Sequence, residues 1–277
     1  MKIAAIQMIS GTDLSQNLAT AKSLLKSAAD LGAEFAVLPE NFSIMPQHES
    51  QRQQCAEALG DTSAPTQAML AQTAKALGLW IVAGSLPIKS KKTSDRVVST
   101  SLAYNPQGQQ VAHYDKIHLF RFNNGREQYD EHLAYEAGSE PSSFTMKPKG
   151  SNQSVKVGMS ICYDLRFPEL YRALSAKEPC DLMLIPSAFT YTTGRAHWEV
   201  LVRARAIENQ CYVIAPAQGG THTSGRRTWG CSMIVNPWGE VQAMQAQGEG
   251  VVIAEMDFDF IKNVRTQLPV LNHRVMG

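Results

Sequence analysis

Val155-Lys156-Val157-Gly158-Met159-Ser160-Ile161-Cys162 runs straight into Tyr163-Asp164-Leu165-Arg166-Phe167-Pro168-Glu169-Leu170, and the junction decides how the chain is read. The first stretch is a short apolar run and reads as a buried strand. The second opens a helix at Pro168, where a fixed φ suits the first turn. A helix is expected over 168–176, then a strand from Asp181 to Ile185, a long helix from about Ala196 to Asn209 and a strand from Cys211 to Ala215. Asn236-Pro237-Trp238-Gly239 follows as a hairpin signal, because proline presets φ and glycine tolerates the exit conformation.

Upstream, the same order is already present once. Ile3 to Met8 reads as a strand, and Asp13 with Gln16 forms a capping box before Leu14, Leu18, Ala21, Leu25 and Ala28, which recur at helical spacing up to Gly32. Phe35 to Leu38 is a buried strand stopped by Pro39, Pro65 to Leu77 a helix before Gly78, and Leu79 to Gly84 a third strand. Asn105-Pro106-Gln107-Gly108 then supplies the first hairpin turn. Two rounds of one element order predict pseudo-symmetric halves of a single domain over 1–277, with the polar stretch from Lys147 to Ser154 as the linker between them. Short apolar strands alternating with amphipathic helices call for sheets covered by helices. The expected fold is therefore α/β, a four-layer α-β-β-α sandwich.

With 26 basic and 25 acidic side chains among 277 residues, the chain carries a net charge of +1, which selects neither nucleic acid nor an anionic membrane as partner. Trp198, Trp229 and Trp238 accordingly read as core and interface packing, not as a base-stacking platform. No apolar run approaches the roughly 20 residues of a membrane span. The opening Met1 to Met8 lacks the apolar region and cleavage site of a signal peptide. Five cysteines, an odd number scattered through the chain, do not form a disulfide framework and point to a reducing, cytoplasmic location. Neither the cysteines nor the seven histidines show zinc-like spacing, so no metal or cofactor is expected.

Three segments carry chemistry. Cys162 lies between a strand end and a helix start, where nearby amide N–H groups favour a thiolate. Glu40 directly follows a strand and Pro39, and a carboxylate partly withdrawn from water has a raised proton affinity suited to a general base. Lys116, in Tyr114-Asp115-Lys116-Ile117-His118-Leu119, is an ammonium able to stabilise an oxyanion, an interaction worth about 3–4 kcal/mol per donor in acyl-transfer enzymes. Each has a plainer reading when taken alone: a buried structural cysteine, a solvated or capping glutamate, a surface lysine paired with Asp115.

Taken together and in order, Leu38-Pro39-Glu40-Asn41, the Lys116 segment and Ser160 to Leu170 resemble the glutamate, lysine and cysteine motifs of the nitrilase, or carbon-nitrogen hydrolase, superfamily. The similarity continues through Pro186 to Phe189, Ala196 to Glu199, Arg203 to Asn209 and Asn236 to Gly239, covering nearly the whole chain. The resemblance implies that Glu40 is the general base, Lys116 an oxyanion stabiliser and Cys162 a nucleophile that forms a thioester, with the Tyr163 backbone N–H completing the oxyanion hole. Glu131, seven residues before Gly138, fits the place of a supporting glutamate in the family. The resemblance also implies the four-layer sandwich, no metal or cofactor, a small-molecule amide substrate, and a homodimer or larger homo-oligomer built by helices of two sandwiches facing each other.

Within the superfamily the second half is similar to the Nit branch, and Ala215-Pro216-Ala217-Gln218-Gly219-Gly220 with His222 resembles its deaminated-glutathione amidases. The implied reaction is hydrolysis of an amide in a small carboxylate-bearing molecule, with release of ammonia. ω-Amidase action on α-ketoglutaramate-type amides is the alternative, and a non-catalytic binding protein on the same fold is the alternative from another class. A carboxylated substrate calls for a cationic clamp, for which Arg126, Arg195, Arg226 and Arg227 are the candidates, although surface arginines need no functional explanation. Two places depart from the family pattern: Arg121-Phe122-Asn123-Asn124-Gly125-Arg126, in a loop expected to border the pocket, and Arg195 before Ala196-His197-Trp198. A papain-like protease would need a histidine base, and His197, the one nearest the motifs, is assigned to packing or hydrogen bonding beneath the pocket.

Overall fold

A computed structural model describes residues 1–93 and 95–275. Its first sheet is centred on three parallel strands, Lys2–Gln7, Phe35–Val37 and Trp80–Val82, and its second on Val155–Met159, Leu182–Leu184 and Tyr212–Ala215. Each trio carries an antiparallel hairpin on the same side of the order. Val97–Tyr104 and Gln110–Asp115 extend the first sheet, Ser232–Val235 and Val241–Gln245 the second. The turns are the two expected Asn-Pro-x-Gly sequences, with Gly108 and Gly239 at φ +78° and +83°.

Alternation along the strands separates the layers. Ile3, Ala5, Phe35, Val37 and Val82 join the second sheet in one apolar core, while Ala4, Ile6, Ala36 and Ile81 face the helices Leu14–Asp30 and Pro65–Leu77. The first of these helices buries Leu18, Ala21, Leu25 and Ala28, the expected stripe. Burial of each leucine-sized side chain stabilises by roughly 1.5–3 kcal/mol, which fixes the helix on its sheet. Asp13 accepts from the Gln16 N–H at 2.9 Å, so its half of the capping box is formed. On the far side, Pro168–Leu174 and Tyr191–Asn209 cover the second sheet through Leu170, Tyr171, Trp198 and Val202, completing α-β-β-α.

Two expectations change. The polar stretch 147–154 does not separate the halves: it connects Ser143–Met146 to Val155–Met159, which pair antiparallel within the second sheet. Phe144 and Met146 point inward from that edge strand, so the first half of the chain covers an edge of the second sheet. In return, Gly250–Glu255 from the end of the chain pairs along all six residues of Lys2–Gln7 in the first sheet. The other change is the long helix, which starts at Tyr191, five residues earlier than its pattern suggests. Thr190 caps it by accepting from the Thr193 N–H, and a Cβ on Gly194 would come within 2.2 Å of Trp229, so poor helix formers are held there by tertiary contact. Among the described residues, no helix is long and apolar enough to cross a membrane.

Candidate active site

Strands Phe35–Val37 and Val155–Met159 belong to different sheets, and the segments leaving their C-terminal ends meet in one narrow cleft lined by Glu40, Glu131, Cys162 and Arg226. Glu40 is placed there by a backbone contact that only glycine permits: a Cβ on Gly84, at φ +28°, would lie 2.1 Å from the Pro39 carbonyl oxygen. Beyond it, Asn41 is held at φ +57° by three partners. Its N–H donates to Ser85 Oγ at 3.0 Å, while its side-chain oxygen accepts from the Arg52 guanidinium at 2.9 Å and from the Tyr135 hydroxyl at 3.3 Å. Gln218 Nε2 donates to the Glu40 carbonyl at 3.1 Å from the other sheet.

Lys116 follows the strand Gln110–Asp115, and its N–H donates to the Ser99 carbonyl. The side chain is 1% exposed, and its ammonium donates to Glu40 Oε1 at 2.8 Å and to both oxygens of Glu131 at 3.0 and 2.8 Å. Glu131 is fixed in turn by the Phe120 N–H at 2.7 Å. Gly138 explains the seven-residue spacing, since its N–H donates to the Lys116 carbonyl and a Cβ there would meet the Asp115 carbonyl oxygen at 2.3 Å.

Cys162 sits at φ +49° as the first residue of a 3-10 turn, Cys162–Arg166, an uncommon conformation for a residue bearing a side chain. Its N–H donates to the Pro186 carbonyl at 2.9 Å. In so short a turn the first N–H groups, that of Tyr163 among them, have no acceptor inside the turn. Asp164, fully buried, ties this turn to the lysine segment. It accepts from the Ile161 N–H (2.8 Å), the Tyr114 hydroxyl (2.8 Å), the His118 N–H (3.1 Å) and His118 Nδ1 (2.7 Å). Arg205, from the long helix, clamps the same turn by donating twice to the Leu165 carbonyl.

The electrostatics differ from the sequence expectation in two respects. Burial by itself would raise Glu40, but the Lys116 ammonium outweighs it and holds the carboxylate below the usual glutamate range. The Cys162 thiol is pushed well above its ordinary range, first by burial and then by the charge of Glu40, so the neighbouring amides do not generate a thiolate. Lys116 remains an ammonium far into the alkaline range: burial opposes its charge, yet Glu131 and Glu40 more than compensate. The resting site therefore holds a thiol, a carboxylate and an ammonium, with Cys162 and Glu40 lining the same cleft.

All five residues singled out by sequence, Glu40, Lys116, Glu131, Cys162 and Tyr163, converge here, four lining the cleft and Lys116 directly behind it. Of the four candidate arginines, only Arg226 lines it; Arg126, Arg195 and Arg227 are exposed. His197 is also exposed and bonds Arg166 through Nδ1 at 3.2 Å, so it does not lie beneath the pocket, and no histidine lines the cleft among the described residues. Sequence reasoning missed Phe120, Thr190 and Thr193 on the cleft wall, and it passed over Asp164 and Arg52 behind it. Asp164 stood inside a quoted motif; Arg52, in a short helix without periodic signal, left none.

The chain matches the family described as Carbon-nitrogen hydrolase over residues 2–266. It is 39% identical over 274 residues to a deaminated glutathione amidase from Synechocystis, covering 98% of this chain and 97% of that one. Among solved structures, the Saccharomyces cerevisiae protein Nit3, of branch 10 of the nitrilase superfamily, superposes with a TM-score of 0.88 at 28% identity over 100% of this chain and 97% of its own. The Caenorhabditis elegans NitFhit protein gives a TM-score of 0.88 at 34% identity; the match covers 99% of this chain but only 65% of that longer one.

Proposed function

Because this chain belongs to the carbon-nitrogen hydrolase family, we propose that its cleft hydrolyses an amide of a small carboxylate-bearing molecule through a thioester on Cys162, with deaminated glutathione as the first substrate to test. The observation that carries the reading is one ammonium, that of Lys116, bonded to both Glu40 and Glu131 beside the only thiol that lines the cleft among the described residues.

In the proposed chemistry, Cys162 Sγ attacks the amide carbon while its proton passes to Glu40, and the C=O electrons move onto oxygen. Protonation of Glu40 removes the negative charge that held one Lys116 N–H, and that N–H turns to the new oxyanion together with the N–H of Tyr163. Lys116 thus faces two negative charges before and after the step, Glu131 throughout and a second that moves from Glu40 to substrate. Glu131 keeps the ammonium in place meanwhile. Glu40 then gives its proton to the nitrogen as the C–N bond breaks, leaving an acyl thioester. Water, deprotonated by Glu40, attacks the thioester carbon; the carboxylate product leaves and the sulfur recovers the proton.

A primary ω-amide would release ammonia in this scheme. Deaminated glutathione has secondary amides and would release the amine of the remaining peptide. Measuring both ammonia and amine release from deaminated glutathione, α-ketoglutaramate and a simple nitrile separates the leading reading from the ω-amidase alternative. Cys162→Ala is expected to abolish hydrolysis of whichever substrate the native chain turns over, with an unchanged circular dichroism spectrum. Hydrolysis surviving in that folded variant would remove the thioester from the scheme.

The chain is further proposed to act as a homo-oligomer in the cytoplasm. Supporting the first is an exposed apolar surface on the outer side of the second half, where Val200, Ile207 and Trp238 are 70%, 48% and 54% exposed and Gly239 packs on Ile207. Supporting the second are five free cysteines. A monomer mass by light scattering at micromolar concentration would refute the oligomer.

A further inference from the structure

We infer that Arg226 selects the substrate by taking a carboxylate on the acyl side of the scissile amide, beside the hairpin Arg121–Asn123 and Gln128–Asp130, whose flanking residues Phe120 and Glu131 line the cleft. The inference rests on the amidase reading above and assigns the anion-binding group within that site.

The guanidinium is placed firmly but left mostly unused. Arg226 Nη2 donates to the Ala188 carbonyl at 3.0 Å, and Ala188 lines the cleft with Cys162. Nη1 has only the Met45 sulfur, at 4.0 Å, and Nε is buried with no partner at all. A guanidinium carries five N–H donors and accepts none. A buried donor left without an acceptor is unfavourable, and a carboxylate satisfies two guanidinium donors at once while cancelling the charge. The carboxylates already in the cleft do not serve: Glu40 and Glu131 are both engaged by Lys116.

The surroundings hold the cation in place from two sides. Tyr129, on the second strand of the hairpin, lies with its ring 5.1 Å from the guanidinium. The hairpin is pinned by Thr192 Oγ1, which donates to Glu127 at 2.8 Å, and by Phe120, which packs on Tyr129 and Tyr163. On the other side, the buried His222 ring bonds the Ser10 carbonyl and Thr228 Oγ1, each at 2.8 Å, and the His222 backbone N–H donates to the Arg226 carbonyl. Arg166 shares the cleft but is otherwise committed, bonded to His197 and lying over Phe189 and Tyr163.

Glutaramate and glutaramide form a matched pair of probes, differing by a carboxylate against an uncharged amide at the same position. In Arg226→Met the preference for glutaramate, as a ratio of kcat/KM values, is expected to fall roughly tenfold to a hundredfold, mainly through KM. Arg226→Lys should recover part of it. Equal losses on the two amides, or a preference that survives in Arg226→Met and disappears in Arg166→Met, would overturn the assignment. If Arg226→Met does not fold, Arg226→Lys and Tyr129→Leu are scored on the same ratio, and a ratio unchanged in both also overturns it. Calorimetry with glutarate on Cys162→Ala protein separates the two readings: binding that is lost on adding the Arg226 change upholds the anion site even if the native chain hydrolyses neither amide, and binding that persists excludes it.

Discussion

Lys116 is the residue on which the site turns, since a single buried ammonium answers two carboxylates that would otherwise repel each other. Its effect on protonation has a clear sign. Glu40 is held below its ordinary value near 4.5 and Lys116 above its ordinary value near 10.5, so the pair stays charged across the whole neutral range. The depressed Glu40 contributes stability that is present above its unfolded pKa and lost as pH falls through the folded one. The raised Lys116 contributes stability that is complete below its unfolded pKa and lost as pH rises through the folded one. Activity requires the same two charge states, so kcat/KM is expected to be flat from about pH 6 to 8 and to drop only on the acid side of the ordinary glutamate range. Stopped assays with a buffer series would show it; an acid limb centred near pH 7 would mean that the base is not a Lys116-paired carboxylate.

At the level of elements, the site depends on how strand ends are turned. Glu40 leaves its strand through a backbone crossing at Gly84, and Cys162 leaves its strand through a left-handed residue. Asp164 then locks the cysteine turn to the lysine segment through three hydrogen bonds. Gly84→Ala should therefore act on chemistry from outside the cleft, because its Cβ must displace the Pro39 carbonyl and with it Glu40. A loss of about 1–3 kcal/mol in stability and a fall in kcat larger than any change in KM are expected. Denaturant titration and steady-state kinetics on the purified variant check both, and native kcat in a stable Gly84→Ala protein would show that the crossing does not position the base. Strand, helix and turn signals near these elements were largely legible, down to Gly78 at φ +60° after the helix Pro65–Leu77. The hairpin beside Arg226 was not, since Arg121–Asn123 and Gln128–Asp130 pair only with each other and carry no apolar alternation.

The reciprocal exchange of Ser143–Met146 and Gly250–Glu255 shapes the whole molecule, for each sheet is finished by a strand from the other half. The halves should consequently not fold apart. Unfolding of the intact chain is expected to be one transition, coincident by tryptophan fluorescence and far-ultraviolet circular dichroism, and a chain ended at residue 249 should lose both the transition and solubility. Two separated transitions, or a folded fragment 1–146, would contradict a single folding unit. Periodicity, caps and turn residues are local properties, so the order of strands and helices, the doubled pattern and the motifs around Glu40, Lys116 and Cys162 could all be read from the chain itself. Edge-strand partners, the thiol's raised proton affinity and the choice of Arg226 among four arginines could not, because pairing, desolvation and the field of neighbouring charges are set by residues distant in sequence, and those distances exist only once the two sheets have packed.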